Sequence, residues 1–274
     1  MAAGTGAAPL GIVRRLSARA RYRRAMTRTK ILITGASAGL GAAMARDFAS
    51  KGRDLALCAR RLDALTALRD EIRAAHPGST VAVRALDVDD HPAVPRVFGE
   101  LRDELGGLDR VIVNAGIGKG AVLGTGRADA NIATATTNFV SALAQAEAAL
   151  EIFHAQHAGH LVLVSSMSAI RGLPGKKAAY SASKAGLAAL GQALSTELAN
   201  SPIAVTTLLP GFIATDMAAK AGDARLVAPL AKGVAAMVGA IEKEQRRACV
   251  PAWPWRLIDL VLPRLPGAVV QRIS

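Results

Sequence analysis

The chain has 274 residues, room for one large domain with a sizeable core, and 51% of them are hydrophobic, which excludes global disorder. Only 3% are aromatic, and small residues supply much of the bulk, as suits helices packed closely on a sheet better than an aromatic-rich β-sandwich. The net charge is +13, but Arg14, Arg15, Arg19, Arg21, Arg23 and Arg24 all lie in residues 1–25, which hold no acid. With few aromatics to stack on bases, nucleic acid is set aside as a main partner.

In chain order, residues 1–25 read as a basic, disordered extension or as the product of an early start codon, since Met26 directly precedes the first strand. An acid-free, Arg-rich and Ala-rich start also fits an organellar transit peptide, and it lacks the continuous apolar core of a secretory signal. After Met26, β-rich runs at Ile31–Thr34, Leu55–Ala59, Val81–Leu86, Val111–Asn114, Leu161–Ser165 and Ile203–Leu209 alternate with longer helical segments. Leu62, Leu65, Leu68 and Ile72 mark one such segment, and Leu187, Leu190, Leu194 and Leu198 another. Pro77-Gly78, Gly106-Gly107 and Pro202 punctuate the joins. Strands apolar on nearly every residue and separated by helices imply a parallel sheet covered on both faces. The expectation is one doubly wound α/β domain over residues 26–250, followed by a tail, 251–274.

Cys58 and Cys249 each sit in an apolar, strand-like stretch, too far apart for a disulfide framework or a zinc knuckle, and read as reduced packing residues of a cytoplasmic protein. No charge-free apolar run approaches the length of a membrane span. His154, His157 and His160 are spaced by threes, but Gly159 breaks the helix and His160 begins a strand, so no metal site is expected.

The first strand runs into Thr34-Gly35-Ala36-Ser37-Ala38-Gly39-Leu40-Gly41 and then into a helix. Glycines there permit a tight turn and let the backbone approach a pyrophosphate, with the helix N-terminus facing it. Tyr180 and Lys184 lie four apart, on one face of a helix. A nearby ammonium favours the phenolate and brings a phenol toward useful acid–base range. Ser165-Ser166 ends an apolar strand, and ligands of open α/β sheets bind at the carboxyl ends of strands.

From about Lys30 to Cys249 the chain resembles the short-chain dehydrogenase/reductase family in its compact, single-domain, Rossmann-type form. Several motifs occur in the family's order: the glycine-rich turn, Asn114-Ala115-Gly116 after the fourth strand, Asn138 in a helical segment, Ser166 fourteen positions before Tyr180, and Pro210-Gly211 with Ile213 and Thr215 behind it. Ser165 and Ser168 compete with Ser166, which the alignment through Arg171-Gly172-Leu173-Pro174-Gly175 favours. The resemblance implies that Tyr180 exchanges a proton with the substrate oxygen while hydride moves to or from a nicotinamide. It further implies that Lys184 lowers the Tyr180 pKa and holds the nicotinamide ribose, that Ser166 bonds the same oxygen, and that Asn138 holds a relay water. Gly35, Ser37, Ala38, Gly39, Leu40 and Gly41 would then cradle the cofactor. Asn114, Ala115 and Gly116 line it, and Pro210, Gly211, Ile213 and Thr215 close over it.

Cofactor choice follows from charge. Ala59 stands where an acid would hold the ribose of NAD(H), and Arg60 and Arg61 follow, so NADP(H) is expected over NAD(H). The variant with a basic residue before the second glycine is absent, since Ala38 stands there. Asp87-Val88 resembles the family's adenine contact.

The substrate reads as a lipophilic carbonyl compound or secondary alcohol, because Met217, Leu226, Val227 and Leu230 follow the closing segment. A non-catalytic NADP(H)-binding sensor or scaffold is the alternative, although Tyr180, Lys184 and Ser166 are all present. The tail from Trp253 to Pro263 mixes aromatic, basic and apolar residues, which leaves a peripheral membrane contact, a dimer contact or a lid open. The resemblance suggests a homodimer or homotetramer paired through the helices of Asn138 and Tyr180, where small residues such as Ala185, Gly186, Ala188 and Ala189 cluster.

Overall fold

The computed structural model describes residues 28–215 and 226–273. The basic segment 1–25, Met26 and Met217 lie outside the described residues. Seven strands, β1 (Lys30–Thr34), β2 (Asp54–Ala59), β3 (Val81–Ala85), β4 (Arg110–Val113), β5 (Gly159–Val164), β6 (Ile203–Pro210) and β7 (Arg247–Val250), form one sheet. It is parallel throughout, in the order β3-β2-β1-β4-β5-β6-β7. The chain winds outward from β1 to β3, crosses back to β4, and winds the other way to β7. Neighbouring crossovers therefore diverge between β1 and β4, and a crevice opens beyond the carboxyl ends of these two strands.

Helices α1 (Gly39–Ala49), α2 (Leu62–Ala75), α3 (Ala93–Leu105), α4 (Ala128–Ala135), α5 (Ser141–Gln156), α6 (Ala178–Glu197) and α7 (Leu230–Glu242) cover the sheet. A π-helical turn, Thr136–Val140, joins α4 to α5. Two short helices, α8 (Ala252–Val261) and α9 (Gly267–Ile273), end the described chain. Alternation along each strand sorts the core into two layers. Ile31, Ile33, Leu55 and Leu57 pack with Met44 and Phe48 of α1, with Leu65 and Ile72 of α2, and with Met237 and Ile241 of α7. Leu32, Ala56, Val111 and Leu161 pack on the other face with Phe98 of α3 and Phe153 of α5. This is the doubly wound architecture expected from the alternating textures. Cys58 lies in β2 and Cys249 in β7, both buried free thiols, and burial pushes the Cys58 thiol up to about 12.

Three details differ from the sequence reading. The strand β7 was marked there only by the apolar surroundings of Cys249, yet it completes the sheet by pairing Leu209 with Cys249. Leu62 opens α2 and stays 46% exposed, so the apolar stripe of that helix begins at Leu65. The end of α5 is made by His157 itself, at φ 53°, and not by Gly159. Gly159 instead begins β5 where a Cβ would lie 2.0 Å from the Phe153 ring, so glycine is needed there for packing.

At the amino end of the sheet a cation is buried. Arg110 is 1% exposed; its Nε donates to His160 Nδ1 at 2.9 Å, and its Nη1 donates to Glu242 Oε1 at 2.9 Å. His160 Nε2 lies 2.8 Å from Thr206 Oγ1, which sets its ring in the core, away from His154 and His157. The guanidinium also lies 5.8 Å from the centre of the Phe48 ring. Breaking a buried pair costs most when the charge left behind is the buried one. Glu242→Ala, which strands the Arg110 cation, should therefore cost about 3–5 kcal/mol in urea unfolding. Arg110→Met removes that charge and should cost less; the reverse order would assign the cluster's stability to packing.

Candidate active site

The crevice between β1 and β4 is built from backbone that leaves no room for side chains. Gly35 stands at φ +64°, where a Cβ would lie 2.9 Å from the Ala115 Cα, and a Cβ on Gly41 would lie 2.4 Å from the Gly35 carbonyl oxygen. Thr34, fully buried at the end of β1, accepts hydrogen bonds at Oγ1 from the Asn114 and Ala115 amides, at 3.0 and 3.1 Å. Asn114 Nδ2 donates back to the Thr34 carbonyl at 2.9 Å. In the sequence Thr34 stands out only as the last residue of the first β-rich run and the start of the glycine turn. Its sign was a hydroxyl ending an otherwise apolar strand.

Helix α1 begins at Gly39 behind Ala38, which is extended and offers no side-chain cap, and its first turn carries no acid. Free N–H groups and a positive helix end without a carboxylate fit a diphosphate. Thr215 approaches the same turn, its Cγ2 being 3.8 Å from a Cβ built on Gly39. The stretch leading to Thr215 is held by Ile213, which bridges to Ala228, and by the Ala214 amide, which donates to the Ala228 carbonyl at 2.9 Å. Gly211 donates to the Val250 carbonyl at 3.0 Å, just beyond buried Pro210. Its missing side chain is replaced by the Trp255 indole, whose Cε2 would lie 2.0 Å from a Cβ. Ser37 accepts from Arg61 Nη2 at 3.1 Å, so one arginine after β2 reaches the glycine turn, while Arg60 is exposed beside it. Leu40 packs on the core, Val88 is buried, and the exposed Asp87 accepts from the Asp89 amide at 3.2 Å.

The second half of the site lies where β5 meets α6. Ser165 donates to the Lys184 carbonyl at 2.7 Å and so fastens strand to helix. Ser166 points elsewhere: its Oγ accepts from the Ser168 amide at 3.1 Å and shares a hydrogen bond with the Tyr180 hydroxyl. Ser168 lies inside the short turn that Ser166 caps. Burial pushes the Tyr180 phenol above its ordinary value, and the Ser166 bond draws it part of the way back. The resemblance has Lys184 lower this pKa. The Lys184 ammonium instead donates to the Val164 carbonyl at 2.9 Å, and burial lowers its pKa from 10.5 to about 8.

Asn138 completes the group from the π-helical turn, fully buried. Its side chain grips the backbone of Ile117 on both sides, accepting from N at 2.8 Å and donating to O at 2.9 Å. It also reaches Ser183 Oγ at 3.3 Å. A Cβ on Gly116 would lie 3.1 Å from Asn138 Oδ1 and 3.4 Å from Lys184 Nζ, so the two polar ends meet over that glycine. A further network escaped the sequence reading. Asp89 accepts from Thr137 at 2.8 Å and from Ser141 at 2.6 Å, and His91 Nε2 lies 3.0 Å from the same Ser141 hydroxyl. It ties the loop after β3 to both flanks of Asn138. Among the described residues, no three His, Cys, Asp or Glu side chains gather as a metal site, and no helix is long and apolar enough to cross a membrane.

The short chain dehydrogenase family matches residues 29–226, and the chain belongs to that family of nicotinamide-dependent oxidoreductases. A Mycobacterium tuberculosis protein described as an uncharacterized oxidoreductase is 57% identical over 249 residues, covering 91% of this chain and 98% of its own length. The human 3-oxoacyl-[acyl-carrier-protein] reductase is 31% identical over 185 residues, 68% of this chain and 76% of its own. The crystal structure of levodione reductase superposes with a TM-score of 0.73 at 24% identity, over 82% of this chain and 95% of that one, which shows the shared fold.

A buried ammonium with a lowered pKa gives a signed pH dependence. Between pH 8 and 10.5 the unfolded Lys184 keeps a proton that the folded one has lost, so this group makes stability rise with pH across that window. Lys184→Met should remove that contribution, and the difference in urea midpoint should shift in favour of the unsubstituted protein as pH rises from 8. A pH-independent difference would mean that the ammonium is not desolvated.

Proposed function

We propose that the protein interconverts a lipophilic carbonyl compound and its secondary alcohol using NADP(H), with Tyr180 as acid and base. The observation that carries this reading is the meeting of Ser166, Tyr180 and Lys184 where β5 ends, beside a glycine crevice free of side chains. When bound, the nicotinamide supplies a hydride to the substrate carbon or takes one from it. In the reducing direction Tyr180 gives its proton to the oxygen as the carbonyl double bond opens, and Ser166 donates a second hydrogen bond to the developing negative charge. A phenol held above its ordinary value stays protonated, as an acid must. Lys184, titrating near 8, can return a proton at neutral pH, and Asn138 fixes the backbone around it. In the oxidising direction the same groups run in reverse. Ser165 and Ser168 serve structure in this reading.

NADP(H) is preferred because Arg61 is already drawn to Ser37 of the glycine turn and no acid occupies the end of β2. A guanidinium pair there suits a 2′-phosphate. The wall of the substrate side is apolar: Met167, Ile170 and Phe212 pack together there, and Leu226 is 45% exposed. Tyr180→Phe should lower turnover on a carbonyl panel by at least about 100-fold while leaving cofactor affinity intact. Arg60→Ala with Arg61→Ala should weaken NADPH about 10- to 100-fold and NADH little, as measured by fluorescence titration. Turnover unchanged without the phenol would support a non-catalytic NADP(H) sensor, and equal weakening of both cofactors would make the arginines structural.

Self-association fits the outer side of α4 and α5. Ile132 is 65% exposed there, Val140 45% and Leu143 36%, next to the small residues of α6. Two-fold pairing would bury this strip against itself. Leu143→Glu with Ile132→Glu should convert a dimer or tetramer to a smaller species by light scattering; an unchanged mass would place the contact elsewhere.

A further inference from the structure

The helix α8 has two unlike faces. Its inner face carries Trp255, 5% exposed, which stacks edge-on against Phe212 with ring centres 5.6 Å apart, and Ile258 packs into the same cluster. Its outer face has no partner among the described residues: Leu257 is 50% exposed, Leu260 61% and Val261 43%, and Trp253, in the extended backbone that leads into the helix, 76%. From Leu257 onward these positions recur at helical spacing, so they form one continuous strip. Arg256 and Arg264 flank the strip and Arg272 follows in α9. None of the three makes an ion pair among the described residues. The single acid of residues 251–274, Asp259, is committed to Arg247, whose Nη2 lies 2.6 Å from its Oδ1.

We infer that this face docks on an anionic lipid surface, with the apolar strip seated among the headgroups and the arginines against lipid phosphates. An apolar stripe with an aromatic at its edge and basic residues beside it is the composition of a helix lying in a membrane interface. A second copy of the chain is the poorer occupant. A two-fold contact would set Arg256 and Arg264 near their own counterparts, and the one acid of residues 251–274 is already paired with Arg247. The docked face also borders the substrate side of the site. Trp255 and Phe212 flank Gly211, and Arg171 of the loop between β5 and α6 donates to the Pro263 carbonyl at 3.3 Å. Substrate could then pass from the lipid phase to the apolar wall at Phe212 without crossing bulk water.

The test is cosedimentation of the full chain with vesicles of phosphatidylcholine alone or of phosphatidylcholine with phosphatidylglycerol, followed alongside by tryptophan emission. Binding is expected to the anionic vesicles and not to the neutral ones, with a blue shift that Trp253→Phe abolishes. Leu257→Glu with Leu260→Glu, both at exposed positions, should lower anionic-vesicle affinity about tenfold or more while leaving turnover and thermal unfolding unchanged. Absence of binding would overturn the inference. Equal binding by the double variant would also overturn it, because the arginines of residues 1–25 would then carry the attachment. A fall in oligomer mass of the double variant, without lipid, would make the face a contact between copies and likewise refute it.

Discussion

Everything at the site hangs on how closely β1 and β4 run into one another beyond the sheet. Two amides after β4 would lose their partners there, because the strand pairing that served them has ended. The Thr34 hydroxyl oxygen takes both, and its own hydrogen points toward the Ile112 carbonyl at 3.4 Å. Buried amides without acceptors cost as much as lost hydrogen bonds. This one side chain therefore lets the chain turn away from the sheet twice in the same small volume. Gly35 and Gly41 follow as a necessity of that closeness, and so does the bare amino end of α1 that faces the crevice.

The general plan was legible in the sequence because parallel strands buried on both faces are apolar along their length, and helical spacing separates them. The glycine turn and the Tyr180–Lys184 pair were legible because their chemistry depends on local spacing. What lay beyond reach is set by contacts across the fold. Of the three serines within four positions after β5, the alignment favours Ser166, but that Ser165 donates to the Lys184 carbonyl while Ser166 meets the Tyr180 hydroxyl is decided by contacts across the fold. The phenol's raised pKa is a matter of burial, which no spacing reveals. The π-helical turn at Asn138 depends on the grip on Ile117, twenty-one positions earlier. Arg110 does not stand out in the sequence, because Glu242 and His160, which enclose it, lie far along the chain.

The sheet thus holds a buried cation at each end, and the two differ in kind. Arg110 has a carboxylate, an imidazole and an aromatic face around it, and guanidinium does not give up its proton in proteins. Lys184 has one carbonyl oxygen and a pKa brought down by burial. The first arrangement surrounds its charge with partners, and the second leaves a charge that burial works against. Lys184 is the one of the two that lies at the carboxyl ends of the strands, where ligands of doubly wound sheets bind.

The Trp255 indole, which fills the place of a side chain at Gly211, adds a temporal order to the protein's making. On the ribosome β1 to β6 and the glycine turn are synthesised before α8. Until then the Gly211 end of the segment that runs to Thr215 lacks its indole wall, while Ile213 and Ala214 are already tied to Ala228. A transcript broken before codon 255 would therefore keep every motif of the family and lose the indole that backs Gly211.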